Sequence, residues 1–160
     1  MYILPKRLRD LKGVGCLRAV VSRVSLASVE VEGVVTGKID NGFLVLLGIK
    51  NGDTEEDAAK LAAKICNLRV FNDMDGKMNL NLKTAGGEIL VISQFTLYAD
   101  CRSRRPSFIE AARPETAIPL YEMFIEECKK AGFTVESGVF GAMMKVSSVN
   151  DGPVTIIVES

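Results

Sequence analysis

Histidine is absent from the 160-residue chain. That gap excludes Ser-His-Asp and Cys-His catalysis, histidine metal sites and imidazole acid–base chemistry. Carboxylates, hydroxyls, backbone dipoles or the substrate itself must carry any reaction. Paired cysteines are missing as well. Cys16, Cys66, Cys101 and Cys128 form no CxxC pair, so no zinc or redox motif is present and reduced thiols in a cytosolic, cytoplasmic protein are expected. The longest apolar runs, residues 43–47 and 89–92, fall far short of a membrane span, and no membrane association is expected. Charge of one sign is not in excess either, with 20 Lys and Arg against 20 Asp and Glu. A nucleic-acid partner would therefore have to be held by a local basic patch. Internal repeats and low-complexity stretches are not evident.

What remains is the composition of a globular domain, 48% hydrophobic and 25% charged, with a length that suits one core. The first sixteen residues, MYILPKRLRDLKGVGC, carry basic groups but neither a long apolar stretch nor a small-residue cleavage site. With Pro5, Gly13 and Gly15 and no period, residues 1–16 read as an extension outside a single domain at 17–160.

Residues 17–25 are valine-rich and alternate, which predicts a strand. Residues 28–31 and 34–39 suggest a short hairpin around Glu32-Gly33, and Asn41-Gly42 is a turn signal. The continuous apolar run at 43–49 predicts a central buried strand. Asp53 followed by Glu56 reads as a capping box opening a helix, with Ala58, Leu61, Ala62, Ile65 and Leu68 or Arg69 on its buried face and an end near Val70. The acidic loop at 72–76 lacks a glutamate closing a 12-residue calcium frame and reads as a plain turn. A strand is expected at 88–97, entered through Gly86-Gly87. A second helix is expected at 115–131, with Leu120, Phe124 and Cys128 as its stripe, Pro119 near its first turn and Gly132 as its C-terminal cap. Strands at 133–136, 145–149 and 154–158 complete the chain. Many strands and two helices that do not strictly alternate imply an α+β domain on curved antiparallel or mixed sheets.

Three segments admit two readings each. Ser93-Gln94-Phe95-Thr96-Leu97-Tyr98-Ala99-Asp100 ends a very apolar strand with hydroxyls and an amide. These groups either cap local backbone or mark a place where free N–H groups bind an oxyanion. Asn150-Asp151-Gly152-Pro153-Val154-Thr155 contains Asp-Gly, a common hairpin turn. Yet a proline there removes a donor at the start of a strand, and Gly-Pro permits a cis peptide that would turn neighbouring carbonyls toward a ligand. Arg102-Ser103-Arg104-Arg105 is either a solvated face or a phosphate contact.

Together these segments resemble the D-aminoacyl-tRNA deacylase family. The resemblance spans nearly everything from Arg18 to the C-terminus. It rests on SQFTL at Ser93 to Leu97 and on NxGPxT at Asn150 to Thr155, which are highly specific as an ordered pair. Arg18-Ala19-Val20-Val21-Ser22-Arg23-Val24, Asn67-Leu68-Arg69-Val70-Phe71, Lys77-Met78-Asn79, Arg105-Pro106-Ser107-Phe108 and Phe140-Gly141-Ala142-Met143-Met144 are similar as well. The resemblance implies a barrel-like core with two main helices, and a homodimer with active sites at the subunit interface. It implies an RNA substrate, D-aminoacyl-tRNA and also glycyl-tRNA mischarged on tRNA-Ala, hydrolysed at its ester bond. It implies a cis Gly152-Pro153 bond whose carbonyls enter the partner's site and exclude an L side chain. Arg23 matches an arginine that helps hold this Gly-Pro segment, which lies in the motif bounded by Asn150 and Thr155. Phe140, Gly141 and Met144 match positions around the terminal adenosine. Two departures stand out. Leu17 occupies the place of the usual initiating methionine, which makes residues 1–16 a suspected misassigned start. The loop at 100–106 is one residue short and lacks a glycine.

An ester is an activated bond, so hydrolysis needs a positioned water and a stabilised oxyanion but no histidine. The expected catalytic set is the backbone N–H groups near Phe95 and Thr96, with Ser93 and Gln94 shaping the site and the ribose 2′-hydroxyl orienting or activating the water. A covalent role for Thr96 is the competing mechanism, although its hydroxyl would need a base. A noncatalytic tRNA-binding or chirality-sensing protein is the alternative function. No cofactor and no metal are expected, and any phosphate contacts by Arg102, Arg104 and Arg105 would weaken with salt.

Overall fold

The computed structural model describes residues 16–160. The proposed extension therefore lies, save for Cys16, outside the described residues. The chain runs β1 (Arg18–Val31), β2 (Val34–Ile39), β3 (Gly42–Gly48), α1 (Glu55–Cys66), β4 (Phe71–Asn72), β5 (Met78–Leu80), β6 (Glu88–Ser93), a 3-10 turn (Phe95–Tyr98), α2 (Pro114–Lys130), β7 (Val135–Ser137) and β8 (Lys145–Glu159). This is the mixed α+β architecture expected, on a curved, nearly closed, barrel-like sheet.

β1 organises the sheet. The sequence predicts separate strands at 17–25 and 28–31, but β1 is one 14-residue strand. β2 and β3 follow each other along one edge, in a shared register from Ala27↔Ile39 to Arg18↔Gly48. β8 runs antiparallel along the other edge. Beyond β3 the pairing turns parallel, first to β6 and then to β7. The sheet curls until β2 meets β7: a Cβ on Gly37 would lie 2.8 Å from the Ser137 carbonyl oxygen. Only a residue without a side chain permits that approach.

Two cores result. Val24, Ala27, Val29, Ile39, Leu44, Leu90 and Ile92 fill the inside of the curl. Ala19, Val21, Phe43, Val45, Leu47, Ile89 and Val91 face outward, where α1 and α2 cover them. β3 and β6 are thus buried on both faces, which is why each reads as a continuous apolar run.

Local details correct several expectations. The α1 cap is Thr54, one residue later than expected, and the box closes through Asp57 rather than Glu56. The Asp53 carboxylate instead accepts the Lys50 N–H at 2.6 Å, tightening the turn before the helix. α1 stops at Cys66, short of Val70, where the Asn67 amide donates to the Ala63 carbonyl at 2.8 Å. Residues 94–97 leave the expected strand, because β6 ends at Ser93 and the chain winds into the 3-10 turn. In α2, Pro114 takes the first helical position, so Pro119 lies in the second turn and not the first. Gly132 does close α2, at φ +97°, with Gly132 N–H bonding the Lys129 carbonyl and Phe133 N–H the Cys128 carbonyl. The last three strands shift too: β7 starts at Val135, and the stretch read as two strands joined by a turn is continuous β8. The 72–76 loop is a turn in which the Asp73 carboxylate accepts the N–H groups of Asp75 and Lys77.

Candidate functional site

Ser93 and Gln94 come off the C-terminal end of β6 with the Gln94 N–H still bonded to the Leu47 carbonyl of β3 at 2.8 Å. The next residues then tighten into the 3-10 turn, with Leu97 N–H reaching the Gln94 carbonyl. The first N–H groups of any helical turn have no partner within it. Among the described residues neither the Phe95 nor the Thr96 N–H has an acceptor. The turn sits close on β3 because Gly48 lies beneath it, where a Cβ would stand 3.0 Å from that of Leu97 and 3.1 Å from the Gln94 carbonyl oxygen. The Thr96 hydroxyl accepts a hydrogen bond from the Gln94 side-chain amide.

Across from this segment lies the stretch between β7 and β8. The Phe140 ring stacks edge-on against Tyr121 of α2 at 5.7 Å. Tyr121 is itself buried and donates its hydroxyl to the Val91 carbonyl at 2.9 Å, and burial pushes its pKa up to about 12. It is therefore a neutral, fixed support. Gly138 leaves room for Met144, whose sulfur would be 2.5 Å from a Cβ there. Gly141 turns the chain at φ +77°.

These two stretches meet in one cleft of about 310 Å³, lined on one side by Ser93, Gln94 and Phe95 and on the other by Phe140, Gly141 and Met144. Six residues singled out in the sequence thus line one cleft, while Thr96, also expected at the site, is not among its lining residues. Leu47, Ile49, Ala112, Ala117 and Val146 are among the others that line it. Sequence reasoning missed these because apolar side chains from several separate elements carry no local signature. Gly48 alone offered a signal, as a glycine ending an apolar run. The cleft is an apolar box with a polar end, suited to a flat hydrophobic group beside a carbonyl. Among the described residues no three Cys, Asp or Glu side chains are placed to hold a metal ion.

Arg23, Asn150, Gly152, Pro153 and Thr155 gather elsewhere. Ser22 pairs with Thr155 and Val24 with Asn150, so residues 151–154 bulge out opposite Arg23 alone. The expected two-residue hairpin is therefore replaced by a bulge within a strand. Arg23 is buried at its base. It donates from Nε to the Asp151 carbonyl at 3.0 Å and from Nη1 to the Val70 carbonyl at 2.6 Å. A Cβ on Gly152 would come within 2.9 Å of the guanidinium. The Ser22 and Thr155 hydroxyls bond to each other at 3.2 Å. The Gly152-Pro153 peptide bond is cis. Gly152 and Pro153 are exposed on the free side of β8 and do not line the cleft of their own chain.

The basic loop is closed by paired bonds between Asp100 and Ser107, and all three arginines are exposed. They are not equivalent. Arg102 forks onto the Asp100 carboxylate, with Nε 3.0 and 2.8 Å from its oxygens, and this pairing pulls the Asp100 pKa down. Arg104 and Arg105 have no carboxylate within ion-pair distance among the described residues.

Comparison with known proteins identifies relatives of the chain. Residues 20–159 match the model of the family described as D-Tyr-tRNA(Tyr) deacylase. A D-aminoacyl-tRNA deacylase of Thermus aquaticus is 59% identical over 145 residues, covering 90% of this chain and 95% of that protein. One from Thermosipho africanus is 57% identical, covering 90% and 97%. Among solved structures, one described as c-Myc DNA Unwinding Element Binding Protein superposes with a TM-score of 0.84 at 41% identity, covering 89% of this chain and 98% of that one. Another, described as a probable eukaryotic D-amino acid tRNA deacylase, shares the fold at a TM-score of 0.79 and 16% identity, covering 91% and 100%.

Proposed function

The chain belongs to the D-Tyr-tRNA(Tyr) deacylase family, and on that premise we propose that it hydrolyses the ester of D-aminoacyl-tRNA in the cytoplasm, releasing tRNA and the free D-amino acid. The observation that carries the reading is the shared cleft, in which Ser93, Gln94 and Phe95 face Phe140, Gly141 and Met144. The terminal adenosine occupies the apolar side. The ester carbonyl points at the N–H groups of Phe95 and Thr96, whose lack of acceptors leaves them free for the charge that develops as water adds. Thr96 is not the nucleophile in this scheme. Its hydroxyl neighbours an amide donor rather than a base, and the ribose 2′-hydroxyl of the substrate orients the attacking water instead.

Chirality is read by main-chain atoms. The exposed Gly152-Pro153 bulge, held from behind by Arg23, does not line its own cleft but is free to enter that of a second copy. The partner's carbonyls then leave no room for an L side chain, while a D side chain points away. Glycine, which has no side chain to reject, is admitted with it. Support for a homodimer comes from β8, a long strand whose outer edge is unpaired among the described residues and which exposes Val149 and Ile157.

Purified protein incubated separately with D-Tyr-tRNA and L-Tyr-tRNA tests the proposal. Release of tyrosine from the D form only is expected; equal rates, or none, would remove it. The likeness to a protein described by DNA-element binding favours a second reading, a nucleic-acid binder without turnover. Binding of both tRNAs with no hydrolysis would select that one.

A further inference from the structure

Beside the cleft stand two aromatic rings whose open faces the deacylation scheme does not use. The Phe95 and Phe108 rings lie 5.2 Å apart, edge to face at 73°. Core aromatics pair this way out of water, yet Phe95 is 56% exposed and Phe108 38%. An edge-to-face pair leaves ring faces open on its outer side. Phe95 also lines the cleft, so the pair adjoins the place assigned to the terminal adenosine. Phe108 closes the basic loop directly after Asp100 bonds to Ser107, and the same loop presents Arg104 and Arg105, the two arginines of the loop that have no ion-pair partner among the described residues.

We propose that Phe95, Phe108, Arg104 and Arg105 form a second nucleotide subsite, which stacks the penultimate base of the single-stranded RNA end and pairs with its phosphates. The inference rests on the deacylase reading and extends it by one nucleotide. Single strands are gripped by this combination, aromatic faces for successive bases and cations along the backbone. Charge argues for RNA over a protein partner here. The carboxylate of the loop, Asp100, is already committed to Arg102, which leaves Arg104 and Arg105 as net positive charge flanking the rings. Stacking tolerates any base, so the subsite adds affinity for a single-stranded end without reading its sequence.

Phe108→Ala and the milder Phe108→Leu test the subsite with three substrates: full D-Tyr-tRNA, the same tRNA with an abasic penultimate nucleotide, and the isolated D-tyrosyl ester of adenosine. The expected loss of kcat/KM on full tRNA is about 5- to 100-fold for Phe108→Ala and smaller for Phe108→Leu. The abasic tRNA should cost the unaltered protein a similar factor and cost Phe108→Ala nothing more. The adenosine ester should be turned over equally by all three proteins. Arg104→Ala with Arg105→Ala should flatten the salt dependence on tRNA only. Equal losses of Phe108→Ala on tRNA and on the adenosine ester would overturn the subsite, since the ring would then merely prop the catalytic turn. So would no loss on either. If the unaltered protein hydrolyses neither ester, the deacylase reading falls and the subsite with it; hydrolysis of both with the wrong pattern sinks the subsite alone.

Discussion

Phe95 matters through its backbone, and proline can remove that contribution. As the first residue of the 3-10 turn it occupies a position where proline is tolerated, so Phe95→Pro deletes one N–H and little else of the main chain. Phe95→Ala loses the ring but keeps the donor. We expect Phe95→Pro to lie about 10²- to 10³-fold below Phe95→Ala in kcat, and Thr96→Ala to retain near-normal turnover. A dead but folded Thr96→Ala would restore the covalent mechanism. Asp53 offers a separate test, of stability. Burial raises its pKa above the ordinary carboxylate value, so the folded state holds that proton to higher pH than the unfolded chain. Folding then loses stability as pH rises from the unfolded value through the folded one. In urea melts between pH 3.5 and 7, Asp53→Asn should lack this decline. Parallel curves for the two proteins would show that Asp53 does not titrate with folding.

At the scale of the element, the start of α1 is set by a capping box. Thr54 accepts the Asp57 N–H while Asp57 returns a bond to the Thr54 N–H. Thr54→Ala should lower unfolding free energy by roughly 1 kcal/mol, read as a shift of the urea midpoint at constant slope; no shift would mean α1 is held by packing alone. The same stretch shows why sequence reading missed by a residue. Asp53 and Thr54 are both good caps, each followed three residues later by an acid, and only the Lys50 turn decides which is used. β6 was overrun for a related reason. Phe95 and Leu97 suit a strand, but Gly48 beneath them lets the chain close down into a turn. β1 runs past the expected end at Ser25: Ser25 and Leu26 are exposed and interrupt the burial alternation, yet the backbone continues through them. The bulge at 151–154 is not distinguishable from a hairpin turn in the sequence because Asp-Gly serves either, and its partner is a strand more than a hundred residues away.

At the scale of the whole molecule, the separation of cleft and bulge makes a shared site testable by mixing. A Phe95→Pro chain keeps its bulge; a Pro153→Ala chain keeps its cleft donors. If the bulge of one copy serves the cleft of the other, each mixed dimer contains one site with both parts intact. Random exchange makes half the dimers mixed, so D-selective turnover should recover to roughly a quarter of the unaltered protein's. No recovery, with exchange verified, would mean that each copy is complete alone or that the bulge plays no part.

The order of residues by itself determined the absence of histidine chemistry, the buried character of β3 and β6, two amphipathic helices and the two polar motifs, because each is a property of neighbours along the chain. It also kept SQFTL and NxGPxT apart as separate signals. Tertiary structure alone decided that the first faces Phe140 and Met144 across a cleft while the second stands on an open strand edge. That outcome depends on how the sheet curls and on contacts such as Gly37 against Ser137 and Gly48 beneath the turn. These contacts join distant residues, and their sterics act only once the backbones have met.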